Sequence, residues 1–123
     1  MIKHGNPPFL ECSSRGDKRF SAFYARIRSR GYSSIEEIYQ AAKVFTTMWG
    51  EEVTGLSPRE AKGRFPDNIE EVHKLYSKLW DEYIEENPEL LQVLRDASGL
   101  SDVFGQNGHC CQATELWRIR NKY

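Results

Sequence analysis

The stretch between Asp67 and the Asn87-Pro88 pair limits the fold of this chain more than any other part of the sequence. Its apolar residues recur every three or four positions, which places them on one face of an α-helix. We expect Asp67 to cap the start of this helix and Asn87-Pro88 to end it. The predicted apolar face consists of Ile69, Val72, Tyr76, Leu79, Trp80, Tyr83 and Ile84. A long helix with one apolar face must pack that face against other elements of the fold. The sequence therefore predicts a core in which this helix takes a large part.

Length and charge favour a single domain without general affinity for polyanions. The chain has 123 residues and a net charge of −1, which suits one domain, 1–123, and gives no overall attraction to nucleic acid or membrane. Residues 1–8 are predicted to be a loose lead-in, because Asn6-Pro7-Pro8 cannot continue a helix or a central strand. No apolar run approaches the ~20 residues of a membrane helix, and no signal-peptide pattern is present. We therefore expect no membrane partner.

The other segments predict an α+β fold that is predominantly helical. Residues 9–12 and 19–28 are strand candidates joined by the turn signal Arg15-Gly16-Asp17, and together they predict a short N-terminal hairpin. About five helices follow this hairpin, as capping and periodicity signals indicate. Their predicted starts or spans are Ser33 or Ser34, Ser57-Pro58, Asp67, 89–97 and 114–121.

Residues 33–43 carry polar groups that helix formation alone does not explain. The pairs Ser33–Glu36 and Ser34–Glu37 both have the spacing of a capping box, in which a hydroxyl and a carboxylate bind backbone amides. The predicted core-facing residues of this helix are Ile35, Ile38, Tyr39, Ala42 and Phe45, and its predicted end is near Trp49-Gly50. Glu36, Gln40 and Lys43 share another face. Glu36 therefore has two interpretations, a helix cap or a functional carboxylate.

A second group of candidates consists of cations and aromatic rings. Arg15, Lys18 and Arg19 lie beside Gly16, and a basic cluster of this kind can bind phosphate. An ordinary solvated surface is the alternative. The aromatic pair Phe23-Tyr24 offers rings on which a nucleobase can stack.

The cysteine pattern favours reduced thiols over a metal site. Cys12, Cys110 and Cys111 are an odd number of cysteines. Together with His109 they would supply four ligands, but zinc sites use spaced pairs such as C-x-x-C, and adjacent cysteines seldom bind one ion. We expect no metal, no cofactor and a cytoplasmic location.

Five segments between residues 20 and 120 occur in a recognisable order. They are Phe20-Ser21-Ala22-Phe23-Tyr24, the run from Ser34 to Lys43, Lys62-Gly63-Arg64, Asn87-Pro88-Glu89-Leu90 with Leu94, and Asp102-Val103-Phe104-Gly105 followed by Leu116-Trp117-Arg118-Ile119-Arg120. In this order they resemble the NADAR family of N-glycosidases. The chain departs from the family pattern at Ala22, which replaces the usual Asn, at Glu37, which replaces His, and at Phe104, which replaces Trp. It is also shorter than most members. We interpret it as a divergent, compact member of bacteriophage type, which would act in the host cytoplasm.

The resemblance implies cleavage of the N-glycosidic bond of a phosphorylated riboside. Family substrates are ADP-ribose attached to guanine in nucleic acid, which would then be the carrier of the adduct, or early intermediates of riboflavin synthesis. Such cleavage develops positive charge at the anomeric carbon, which a fixed carboxylate stabilises. Glu36 matches the motif Glu and is the predicted catalytic carboxylate, although the cap interpretation stays open. Asp102 matches the late Asp and would orient water or bind ribose hydroxyls, with an ordinary turn residue as the alternative.

The same resemblance extends to substrate binding. Gln40 would orient Glu36 or bind the base, unless it is a solvent-facing side chain. The other predicted substrate-binding residues are Arg15, Lys18, Arg19, Lys43 and Arg64 for phosphate, and Phe23 and Tyr24 for the base.

Two functions of other classes stay open at this point. One is a non-catalytic module that binds or sequesters an ADP-ribose-like nucleotide. The other is a small phage protein that acts by protein–protein interaction, for which the acidic helix of residues 67–86 would suit a basic partner or mimic nucleic acid. The sequence does not predict an oligomeric state.

Overall fold

The computed structural model describes residues 1–105 and 111–123 and has the predicted α+β fold, with helices predominating. The described residues form five α-helices: α1 (Ile35–Ala41), α2 (Pro58–Ala61), α3 (Ile69–Glu86), α4 (Glu89–Asp96) and α5 (Gln112–Lys122). They also form seven short strands: β1 (Ile2–Gly5), β2 (Phe9–Glu11), β3 (Arg26–Ile27), β4 (Ser33–Ser34), β5 (Phe45–Thr46), β6 (Glu52–Val53) and β7 (Gly99–Asp102). No helix in these two ranges is long and apolar enough to cross a membrane.

Helix α3 organises the core, as its periodicity predicts. Every residue of the predicted apolar face except Ile69 is buried, and Trp80 and Leu79 are fully inaccessible. The predicted cap was wrong, because Asn68 occupies the N-cap position and the Asp67 carboxylate accepts a hydrogen bond from the Thr46 hydroxyl instead. Asp67 therefore ties the start of α3 to strand β5.

The N-terminal eight residues are not a loose lead-in, which corrects the sequence prediction. Strand β1 pairs antiparallel with β7, and β2 pairs parallel with β7 on its other side, so the sheet order is β1-β7-β2. Pro7 and Pro8 lie in the connection between β1 and β2, where proline costs no ladder hydrogen bond. Strand β7 itself was missed, and it places Asp102 at the end of a buried strand rather than in a loop.

The N-terminal hairpin also differs from the predicted one. The partner of β2 is β7, and residues 18–25 form a 3-10 turn (Lys18–Phe20) followed by further turns. The hairpin that does form is short and joins β3 to β4, with Arg26 opposite Ser34 and Ile27 opposite Ser33. It leads directly into α1, so the geometry of this hairpin sets the start of that helix.

Helix α1 ends at Ala41, well before the predicted end near Trp49-Gly50. The chain turns away after Lys43, and Phe45 reaches the core from strand β5 rather than from the helix. Helix α2 begins at the predicted Ser57-Pro58 start, where Ser57 and Glu60 form a capping box, and α4 and α5 lie where periodicity predicted helices.

Candidate active site

A cleft of about 590 Å³ opens where five segments of the chain meet. The segments are the turn after β2, the turns before β3, the start of α1, the end of α2 with α3 beside it, and the region where β7 ends and α5 begins. The cleft is lined by Ser14, Phe23, Tyr24, Glu36, Lys62, Tyr76, Asp102, Phe104, Gly105 and Gln112. Four residues predicted from the sequence are thus brought together: Phe23, Tyr24, Glu36 and Asp102.

Glu36 is not the cap of α1. The Ser34 hydroxyl accepts a hydrogen bond of 3.1 Å from the Glu37 amide, and the Glu37 carboxylate accepts one of 3.3 Å from the Ser34 amide. The capping box therefore uses Ser34 and Glu37, and the Ser33–Glu36 alternative is wrong. The Glu36 side chain is left to line the cleft.

Gln40 fixes the orientation of Glu36. Its amide nitrogen donates a hydrogen bond of 2.7 Å to one oxygen of the Glu36 carboxylate, one helical turn away. Gln40 is buried, so the solvent-facing alternative is wrong. The backbone amide of Glu36 also donates to the Ala22 carbonyl at 3.0 Å, which anchors the start of α1 to the segment carrying Phe23 and Tyr24.

Asp102 is buried, with only 3% of its surface exposed, and its carboxylate is held from two directions. One oxygen accepts from the Phe104 amide at 2.9 Å, and the other accepts from the Gln112 amide nitrogen at 3.0 Å and the Cys111 thiol at 3.5 Å. The side-chain oxygen of Gln112 accepts a hydrogen bond of 2.9 Å from the Ala22 backbone amide. Gln112 thereby links the Asp102 side of the cleft to the side on which Glu36 is anchored.

Each of three aromatic rings in the cleft wall has a cationic side chain over its face. The ammonium of Lys62 lies 5.6 Å from the centre of the Phe23 ring, and that of Lys18 lies 4.8 Å from the Tyr24 ring. The Arg15 guanidinium lies 5.0 Å from the Phe104 ring. These rings are all exposed, so a planar ligand can reach both a π-face and a positive charge at the mouth of the cleft.

Arg19, the third member of the predicted basic cluster, does not line the cleft. Its guanidinium binds the Asp17 carboxylate through two hydrogen bonds of 3.0 and 2.7 Å, and these lower the pKa of Asp17. Its carbonyl accepts a hydrogen bond of 2.7 Å from the Tyr83 hydroxyl, whose pKa burial raises to about 12. Arg19 thus secures the turn that carries Arg15 and Lys18.

Lys43 and Arg64 line a second, smaller pocket of about 220 Å³ beside the cleft. Lys43 is buried, and its ammonium donates to the Ala61 and Arg64 carbonyls at 3.4 Å each. The Arg64 guanidinium lies 4.3 Å from the centre of the Phe45 ring. The predicted phosphate-binding residues are therefore divided between two places.

The wall between the two pockets is an edge-to-face pair of tyrosine rings. Tyr39 lines the second pocket and Tyr76 lines the cleft, and their ring centres are 5.2 Å apart. The segment after α2 also contributes to the lining of both the cleft and the second pocket: Lys62 lines the cleft, whereas Gly63 and Arg64 line the second pocket.

Sequence reasoning missed several residues of the cleft, namely Ser14, Lys62, Tyr76, Phe104, Gly105 and Gln112. Lys62 and Phe104 stand inside the quoted family segments, so the signal for them was available. Gln112 directly follows the His109-Cys110-Cys111 run, and no local pattern marks it as a cleft residue. Periodicity predicts Tyr76 as a core residue, and in the structure it is buried and also lines the cleft.

Within residues 1–105 and 111–123, no three His, Cys, Asp or Glu side chains lie close enough to hold a metal ion. Cys12 and Cys111 are free, buried thiols, and burial raises the pKa of each. His109 and Cys110, which were considered with them as zinc ligands and disfavoured, lie outside the described residues.

No protein-family model matches the chain, and no curated protein matches it. The NADAR resemblance therefore stays a prediction that depends on the quoted segments. What the geometry itself offers is a pair of oriented carboxylates, Glu36 and Asp102, in one cleft with exposed rings and cations at its mouth.

Proposed function

We propose that the protein is an N-glycosidase that cleaves the N-glycosidic bond of a phosphorylated riboside, such as an ADP-ribose adduct. One observation carries the proposal: Glu36 is released from helix capping and lines the same cleft as Asp102. A carboxylate at the start of a helix is ordinarily explained by the cap. Here Glu37 fills that role, so Glu36 is available for chemistry.

Glu36 would stabilise the charge that develops on the sugar. Departure of the base leaves an oxocarbenium-like centre, and a carboxylate fixed beside it lowers the barrier because it needs no reorganisation during the reaction. The hydrogen bond from Gln40 occupies one Glu36 oxygen at 2.7 Å. The other oxygen then faces the substrate or activates the attacking water.

Asp102 would bind ribose hydroxyls or orient that water. The donors around its carboxylate hold it in one orientation, from the Phe104 amide on one side and Gln112 on the other. Most glycoside hydrolases use two carboxylates that flank the scissile bond. In this cleft Glu36 would stabilise the cation and Asp102 would position the ribose or the water.

The rings and cations would bind the two ends of the substrate. Phe23, Tyr24 and Phe104 offer faces for the base, and Lys18 and Lys62 beside them offer charge for phosphate. The pocket of Lys43 and Arg64 would take a further phosphate, since it lies across the Tyr39–Tyr76 wall from the cleft.

The test is turnover of defined substrates by the purified protein. The panel contains ADP-ribosylated guanosine, an oligonucleotide that carries the same adduct, and a ribosylaminopyrimidine 5′-phosphate, with the released base and sugar identified by mass spectrometry. We expect Glu36→Gln to abolish release while leaving ligand binding largely intact. Glu37→Gln, the same change one residue along and outside the cleft, is the matched control and should retain turnover. Full activity of Glu36→Gln would sink the assignment.

A non-catalytic nucleotide-binding module is the second candidate, and one observation favours it. Glu37 stands where the resembling family usually has His, and its carboxylate is engaged by the Ser34 amide and lies 3.6 Å from Arg26. Whatever the family's His contributes is therefore not supplied by this residue. Calorimetry with ADP-ribose and its guanosine adduct, followed by quantitative recovery of the unchanged ligand, would identify a binding module.

A further inference from the structure

Glu11 lies next to the cleft without lining it, and its carboxylate accepts three hydrogen bonds. One oxygen accepts a hydrogen bond of 2.8 Å from the Ser101 hydroxyl. The other accepts from the Ser13 amide at 3.1 Å and from the Val103 amide at 3.0 Å. Ser101 and Val103 are the two neighbours of Asp102, so Glu11 holds the chain on both sides of that residue.

The backbone of Glu11 reinforces this arrangement. It pairs with Ser101 in the parallel β2–β7 ladder, and its carbonyl accepts from the Asp17 amide at 2.9 Å. Gly16 packs directly on it, because a Cβ at position 16 would lie 2.5 Å from the Glu11 Cβ and 2.6 Å from its Cγ. The turn of residues 13–17 therefore closes over the Glu11 side chain, and glycine is needed at its tightest point.

Glu11 thus joins two segments that shape the cleft. The turn of residues 13–17 contributes Ser14 to the lining and carries Arg15 over the Phe104 ring. The residues after Ser101 contribute Asp102, Phe104 and Gly105. Burial raises the pKa of Glu11, but the hydrogen bonds from Ser13, Val103 and Ser101 outweigh it and leave the pKa below its usual value. The ionised acceptor is therefore the form that the site stabilises.

We infer that Glu11 is a positioning residue for Asp102: it fixes the backbone on both sides of that carboxylate and the turn that closes the cleft beside it. This inference rests on the proposed glycosidase activity. Glu11 acts through hydrogen-bond geometry, not by contact with the substrate. A glutamine can reproduce that geometry, with its oxygen accepting from the Ser13 and Val103 amides and its nitrogen donating to the Ser101 hydroxyl.

The test is a double-mutant cycle between Glu11 and Asp102. The kcat and KM of the wild type, both single variants and the double variant are measured at a temperature at which all four proteins are folded. Glu11→Ala should lower kcat by ~10- to 100-fold, because a misplacement of about 1 Å can cost that much. Asp102→Asn should then cost far less in the Glu11→Ala background than in the wild type, since the carboxylate is already misplaced. Glu11→Gln should restore most of the loss.

The matched control is Glu86, whose carboxylate also accepts from two backbone amides, those of Arg28 at 2.6 Å and Ser29 at 2.9 Å, outside the cleft lining. Glu86→Ala should lower the unfolding temperature and leave kcat of the folded protein unchanged. Additive effects of Glu11→Ala and Asp102→Asn, or equal kcat losses in Glu11→Ala and Glu86→Ala, would overturn the positioning role alone. Absence of wild-type turnover on every substrate would overturn the glycosidase proposal and this inference with it.

Discussion

Gln40 donates a hydrogen bond of 2.7 Å to Glu36, and both residues stand on one face of α1, four positions apart. Glutamine–carboxylate pairs at this spacing contribute only a few tenths of a kcal/mol to an exposed helix. Gln40 is buried, however, with 4% of its surface exposed. The buried side-chain amide of Gln40 donates its hydrogen bond to a carboxylate that lines the cleft. We therefore infer that this pair matters more for the orientation of Glu36 than for the stability of α1.

We expect Gln40→Ala to lower kcat by ~10- to 100-fold on any riboside that the wild type cleaves, because Glu36 then samples other rotamers. The matched control is Gln92→Ala. Gln92 donates to Asp96 at 2.9 Å with the same spacing on the exposed face of α4, away from the cleft. Its loss should leave kcat unchanged. Equal kinetics for the wild type and Gln40→Ala would show that Glu36 needs no partner.

Tyr24 should contribute to ligand affinity through its exposed ring. A base stacked on an aromatic side chain gains ~1–3 kcal/mol, so Tyr24→Ala should weaken ADP-ribose binding by roughly 5- to 150-fold in calorimetry. Tyr24→Phe keeps the π-face and should bind within about 2-fold of the wild type. Tyr32→Ala removes a similarly exposed ring outside the cleft lining and serves as the control. Affinity that is unchanged in Tyr24→Ala would place the base elsewhere in the cleft.

The ion pair between Arg30 and Glu82 predicts a pH dependence of stability. Two hydrogen bonds of 3.0 and 2.9 Å from Arg30 lower the pKa of Glu82, outweighing the smaller effect of burial. A lowered folded-state pKa means that this stabilisation is complete above the unfolded pKa of about 4.3 and is lost as the pH falls through the folded value.

Glu82→Gln should therefore lower the free energy of unfolding at neutral pH by at most ~1 kcal/mol, since the pair is partly exposed. The difference from the wild type should shrink toward zero at a second, acidic pH below the lowered folded-state pKa of Glu82, where the wild-type carboxyl is also protonated. Urea unfolding at both pH values measures it, with the exposed Glu85→Gln as a control for loss of one charge on the same helix. A difference independent of pH would argue against the ion pair as its cause.

The parts of the fold that the sequence predicted correctly are those whose signals are local. The apolar periodicity of α3 and the Ser57-Pro58 start of α2 each lie within one element, and both are confirmed. Strand β7 has the sequence Gly-Leu-Ser-Asp, which carries little strand propensity. It forms because β1 and β2 pair with its two edges, and those partners are more than eighty positions away along the chain.

The candidate site shows the same limit at the level of single side chains. Lys62 and Arg64 are separated only by Gly63, whose φ of 77° lies in the left-handed region. The backbone turns there, so one cation lines the cleft and the other lines the second pocket. The motif Lys-Gly-Arg indicated a basic site, but only the turn decides which cation reaches which pocket.

Gly99 should tolerate no side chain, because β1 and β2 both approach it. An added Cβ would lie 2.6 Å from the Asn6 carbonyl oxygen and 2.8 Å from that of His4, both backbone atoms that cannot move alone. Gly99→Ala should therefore lower the free energy of unfolding by about 1–3 kcal/mol, the usual cost of overpacking, measured by urea denaturation. Ser98→Ala removes only an exposed hydrogen bond of 3.1 Å to the Pro8 carbonyl. Its free energy of unfolding should stay within about 0.5 kcal/mol of the wild-type value. If residues 1–8 were the loose segment that their prolines suggest, both backbone contacts would be lost, and of the three nearest atoms only one in the movable Phe9 side chain would stay near position 99, so Gly99→Ala would be close to neutral. The two outcomes thus distinguish a paired N-terminal strand from an unpaired one.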